Sequence, residues 1–197
     1  GLIVIGEYSS FDQDDNNVKQ LGIQDSAWET RAVRLVMRGH FGTSYKVKYL
    51  WAVEYNDLKY LDNPLWQVVD FAFSFPLTSS ERTRLAIGKM EEPFSYEMVG
   101  DSANLPQQER ILNPFFQSRN IGVQLTHFSE DQRMTFRAGE FNDSRFETGT
   151  YEEGDWQAAA RLTGLVWDHP ERSSFLHLGI AGRYVGASQD QLRYRAR

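Results

Sequence analysis

Cysteine is absent from the 197-residue chain, which excludes a disulfide framework, Cys-based metal sites and a thiol nucleophile. The absence suits an oxidising compartment, where stray thiols are a hazard. No run of eighteen uncharged apolar residues occurs, so no transmembrane helix is expected. A basic segment leading into an apolar stretch is also missing, and the chain opens at Gly1 rather than Met. The expectation is that any signal peptide has been removed. Lys/Arg-rich blocks are lacking too, and the net charge is −6, which argues against nucleic acid as a partner. What is abundant is aromatic: thirteen Phe, nine Tyr and five Trp within an apolar content of 41%. Many aromatics without long apolar runs suit strands that alternate.

Alternation is clean between Tyr45 and Tyr55. Tyr45, Val47, Tyr49, Trp51, Val53 and Tyr55 share one face, against Lys46, Lys48, Leu50, Ala52 and Glu54 on the other. A period of two marks a strand. The pattern returns over Trp28–Phe41, Leu65–Phe75, Arg82–Lys89, Asn120–His127, Arg133–Gly139, Trp156–Trp167 and Ser174–Val185. A first strand lies near Leu2–Phe11, its facing ambiguous, and Leu192–Arg197 begins a tenth. Most complete strands run about eight to twelve residues, close to the ~9–11 of a tilted membrane crossing.

Connections add a second signal. The links 38–45, 75–82 and 128–133 are short, whereas 12–27, 56–64, 91–119 and 142–155 are long. Strict alternation of short and long links is the habit of outer-membrane barrels, with short periplasmic turns and long outer loops. Tyr45, Tyr55, Phe75, Trp156, Trp167 and Tyr184 fall near expected strand ends, where barrels carry aromatic girdles. The fold class expected is all-β, an antiparallel transmembrane β-barrel. The alternative is a soluble β-sandwich module binding carbohydrate or another ligand.

Charges sort by position. Arg34, Arg38, Lys46, Lys48, Arg82, Arg84, Arg133, Arg137, Arg161 and Arg183 lie on the polar faces of the strands, with Arg193 and Arg195 in the tenth. Polar-face acids there amount to Glu54 and Asp70, and the surplus of acids sits in connections such as Asp14-Asp15 and Glu152-Glu153. A wall of one sign in a narrow passage concentrates counter-ions. The expectation is a pore for small inorganic anions, with no catalytic residue, metal or cofactor. His40, His127, His169 and His177 lack ligand spacing. His127-Phe128-Ser129 places a His and a Ser two apart, as some barrel phospholipases do, but Ser129 falls in a turn with no orienting acid or amide. Acidic outer loops read as solvated before they read as calcium sites.

The run Gly88-Lys89-Met90-Glu91-Glu92-Pro93-Phe94-Ser95 resembles a signature of the phosphate-selective porin O and P family. Glu109-Arg110 with Asn113-Pro114-Phe115, and Arg119-Asn120-Ile121-Gly122-Val123, are similar to further segments of that family and fall in order. Arg34-Leu35 with Gly39, the Ala138–Asp143 run and Leu176-His177-Leu178-Gly179 extend the likeness over nearly the whole chain. The resemblance implies a barrel of about sixteen strands in the outer membrane of a Gram-negative bacterium, surrounded by lipid and assembled as a homotrimer. It also implies phosphate, polyphosphate or other small anions passing a ladder of arginines. The segment at about 91–119 would be its inward-folding constriction loop, with Arg110 and Arg119 as basic contributions and Lys89 at the root. Glu91 stands where the family often has lysine, and Ala32 where a second arginine often accompanies Arg34. Both departures weaken a phosphate site more than general anion passage. Nine strands and the start of a tenth cannot close such a barrel, so residues 1–197 are expected to be the N-terminal part of one.

Overall fold

The computed structural model describes residues 1–43, 46–56, 65–96, 119–142, 156–169, 171 and 174–186. Nine strands follow one another in chain order: β1 Leu2–Ser9, β2 Ala27–Phe41, β3 Val47–Asn56, β4 Leu65–Pro76, β5 Thr83–Glu91, β6 Arg119–Phe128, β7 Met134–Asn142, β8 Trp156–His169 and β9 Ser174–Gly186. Their order in the sheet is their order in sequence, with β1 and β9 at its edges. The ladders β1–β2, β4–β5, β5–β6, β6–β7, β7–β8 and β8–β9 are all antiparallel. The expected tenth strand lies outside the described residues. One helix was not anticipated. It is α1, Asp15–Leu21, inside the first long link, where the Asp14 side chain accepts from the Asn17 amide and Gly22 closes the end.

Two compact units divide the chain: Gly1–Met37 with Trp51–Val69, and Arg38–Leu50 with Asp70–Arg197. In the first unit the facing of β1 is settled by register. Leu2, Val4, Gly6 and Tyr8 pair with Leu35, Val33, Thr30 and Trp28. The register shifts between Ile5 and Gly6, leaving Arg31 as the extra residue of β2. A bulge reverses the parity of the strand beyond it, so Trp28 joins Val33 and Leu35 on the apolar face although their numbers differ in parity. Tyr8 and Trp28 rings lie 5.1 Å apart there.

In the second unit, cross-strand partners share a face, and one face is apolar. Its rows read Phe75–Leu85–Leu125–Ala138–Ala160–Gly182 and Thr83–His127–Phe136–Leu162–Ile180. The side chains of these rows are exposed or half-buried, with Phe75 at 39% and Ile180 at 73%. Between Leu165 and Trp167 of β8 the register shifts again, and Trp167 joins that face opposite Leu176. The short turns are closed by main-chain bonds, Leu77 N–H to the Thr83 carbonyl and Ser129 N–H to the Met134 carbonyl.

Burial is inverted relative to a water-soluble domain. The buried apolar residues among those described are Ala32, Ala52, Ala72, Met90, Phe141 and Ala159, alongside buried Asp70, Arg84, Glu92, Asn120, Gln124 and Gln157. Phe71, Ile87, Val123 and Ile180 lie exposed on the face opposite the buried polar groups, and an exposed apolar face of this extent marks a membrane or partner surface. No helix among the described residues is long and apolar enough to cross a membrane.

Candidate functional site

The opposite face of the second unit gathers the polar side chains into rows. One runs Arg84–Thr126–Arg137–Arg161, and the next Ser74–Ala86–Gln124–Gly139–Ala159–Arg183. A third runs Ala72–Gly88–Gly122–Phe141–Gln157, and Thr135 pairs with Thr163 toward the short turns. Parity of the strands brings these residues together, which is why the sequence pattern located the arginines.

The segment that follows β5 lies on this face. Glu92 is buried, and its Oε1 accepts from Asn120 Nδ2 of β6 and, at 2.6 Å, from Gln157 Nε2 of β8. Its Oε2 is 3.1 Å from Arg183 Nε of β9, and Arg183 Nη2 donates to Gln157 Oε1. Phe94 packs on the cluster of Ala72, Met90, Phe141 and Ala159. The Ser95 carbonyl accepts from Arg161 Nη1 at 2.6 Å. Polar contacts of Glu92 and Ser95 thereby reach β6, β8 and β9, and Phe94 packs between them on the same face.

The bases expected on the wall fall into distinct settings. Arg34 donates to Glu54 at 2.7 Å in the first unit. Arg84 is buried and fully engaged, donating to Ser74 Oγ, the Ser74 and Lys46 carbonyls and Glu81. Arg119 is held by Asp70 and Glu91, both at 2.8 Å. Lys89 pairs in register with Phe71 and Ile121, on the row of the apolar face nearest the long links. Arg82 meets Glu130 at 3.4 Å, and Arg133 donates to the Leu165 carbonyl. Arg38, Lys46 and Lys48 are exposed. Arg110 lies outside the described residues, as does the segment 97–118 of the expected constriction loop.

Arg137 and Arg161 stand apart. They are directly opposed on β7 and β8, as are Thr135 and Thr163. The four side chains line a recess of about 150 Å³. Among the described residues neither arginine has a carboxylate partner. Asn120 and Gln157, by contrast, were not singled out in the sequence. Polar parity alone placed them on this face, and nothing short of the fold could reveal that Glu92 reaches both.

An antiparallel sheet with exposed apolar side chains on one face and arginines, amides and a returning segment on the other defines the porin class of β-barrel protein. The family model for phosphate-selective porin O and P matches residues 4–181, and the chain belongs to that family. Membership implies an outer-membrane porin, a channel. No curated protein and no solved structure matches the chain.

Proposed function

We propose that the protein is a passive channel for small inorganic anions, phosphate and polyphosphate among them, with its basic strand face turned to the lumen and its apolar face to lipid. The assembly is the homotrimer that the family resemblance implies. The observation that carries the reading is the sorting of charge and apolar surface onto opposite faces of β4–β9. A one-signed wall in a confined, low-dielectric passage raises the local concentration of counter-ions. The attachment of Glu92–Ser95 to the basic face supports an inward course for the segment 91–119, which would narrow the passage. Glu91 and Asp70 temper that narrowing electrostatically, because both are bound to Arg119.

The test is the zero-current potential of the intact protein in a planar bilayer under a KCl gradient. A potential near the chloride limit is expected. A potassium-leaning potential would overturn the basic-wall reading while leaving the porin fold in place. Charge reversal at exposed Lys46 and Lys48 should move the potential toward the potassium limit, since neither side chain is part of a buried network.

A further inference from the structure

We propose that Arg161 is a positioning residue: it holds a strained turn of the segment after β5 against the strand wall. It acts on the passage through that segment and not as a contact for the passing ion. The inference rests on the channel reading and gives one arginine of the wall a different task within it.

The segment bends twice within four residues. Phe94 N–H donates to the Glu92 carbonyl at 2.8 Å, closing a three-residue turn on Pro93, and the fixed φ of proline suits the centre of such a turn. Ser95 then takes φ +62°, in the left-handed region where a Cβ crowds the backbone and glycine is the usual occupant. Another residue persists there only where its surroundings hold it. The Ser95 carbonyl accepts from Arg161 Nη1 at 2.6 Å, so the bond falls on the strained residue itself. Glu92 and Phe94 fix the chain ahead of the bend. Arg161 fixes the bend.

The strand next to it supplies an internal comparison. Arg137 of β7 stands directly opposite Arg161 of β8, on the same face and in the same row. Like charges so placed destabilise a sheet, and a charged donor on a carbonyl makes a strong hydrogen bond that offsets part of that cost. Among the described residues Arg137 makes no bond to the segment 92–95. The two arginines are therefore alike in charge and facing, and they differ in the bond to Ser95.

The experiment places one nitroxide at Tyr96→Cys, an exposed position beside Ser95, in a chain without cysteine. Label mobility in the intact protein is read together with unit conductance and zero-current potential in a planar bilayer. Arg161→Lys keeps the charge and loses the planar fork. It should free the label and raise the unit conductance, with the zero-current potential held at the wild-type value. Arg161→Gln should free the label at least as far, whereas Arg137→Lys should leave both label and conductance unchanged. Ser95→Gly removes the strain that the bond offsets, so Arg161→Lys/Ser95→Gly should regain most of the wild-type immobility and conductance. Heat-modifiable migration on a gel, retained by each variant, separates these effects from a failure to fold. A label as immobile in Arg161→Gln as in wild type, or equal effects of Arg161→Lys and Arg137→Lys, would overturn the positioning role. So would a double variant that regains nothing, because Arg161 would then act elsewhere than at Ser95. A potassium-leaning potential in the wild type would sink the anion reading instead, and label mobility would still decide the role of Arg161.

Discussion

Glu92 and Arg183 meet at 3.1 Å on the polar face of the sheet, 91 positions apart in sequence, with Gln157 bonded to both. The carboxylate is 1% exposed. A buried charge is tolerable only when it is paired: Oε1 of Glu92 accepts from Asn120 and Gln157, and Oε2 pairs as an ion with Arg183. Glu92 thereby fixes where the long segment after β5 begins its course.

Removing that carboxylate should release the segment. Glu92→Ala removes the acid paired with Arg183 and the acceptor shared by Asn120 and Gln157, and breaking a buried pair from one side costs about 3–5 kcal/mol. The expected outcome is a lower unfolding temperature in detergent, together with larger and noisier single-channel currents. Glu92→Gln keeps one acceptor oxygen and should lie between wild type and Glu92→Ala on both measures. An unchanged conductance in Glu92→Ala would show that the attachment has no bearing on the width of the passage.

Arg34 and Glu54 form the corresponding pair of the first unit, half-buried and 2.7 Å apart. A double-mutant cycle with Arg34→Gln and Glu54→Gln should return a coupling of about 1–3 kcal/mol, the range for hydrogen bonds to charged groups. Glu54→Gln alone frees a guanidinium on the strand face that bears the bases. The zero-current potential should therefore move toward the chloride limit in that variant. An unmoved potential would place Arg34 away from the ion path.

Much of the fold was legible because a strand's period of two is insensitive to context. All nine described strands fall within a few residues of their expected bounds, since alternation, turn residues and link lengths agreed. What escaped was parity at irregularities. The extra residues near Arg31 and Val166 are visible only when a partner strand supplies the register. In β4 the expected Phe71–Phe73–Phe75 face is kept, its residues pairing in register with Lys89, Ile87 and Leu85 of β5 in turn. Residue type and parity put Arg84, Arg137, Arg161 and Arg183 on one face of the sheet. Which of them is bound to an acid was not legible, because Glu92, Glu81 and Glu91 reach their partners from strand ends and turns.

Gly88 lies in β5 at φ +132°, a conformation that side chains rarely adopt. A Cβ there would also overlap the Phe71 carbonyl oxygen across the β4–β5 ladder. Gly182 of β9 has open space at the same position. Gly88→Ala should sharply reduce the fraction of protein reaching the folded, heat-modifiable form on a gel, and Gly182→Ala should leave that fraction unchanged. Equal yields would mean that the β4–β5 ladder yields at little cost.

Asp131 organises the β6–β7 turn from an exposed position. The Ser129 hydroxyl donates to its Oδ1 at 2.5 Å and the Arg133 amide at 3.1 Å, and these bonds hold its carboxyl below the ordinary carboxylate range, the hydroxyl contributing most. A carboxyl with a depressed folded pKa contributes order that is complete above the unfolded value and lost as pH falls through the folded one. The turn should therefore keep its geometry at neutral and mildly acidic pH and loosen only in stronger acid than an ordinary aspartate would require. Amide chemical shifts of Arg133 and Met134, followed by NMR from neutral pH downward, should report a single titration below that of a free aspartate. Asp131→Asn should abolish the titration while leaving Ser129 Oγ on the Met134 amide. A titration that persists in the variant would remove Asp131 from the account.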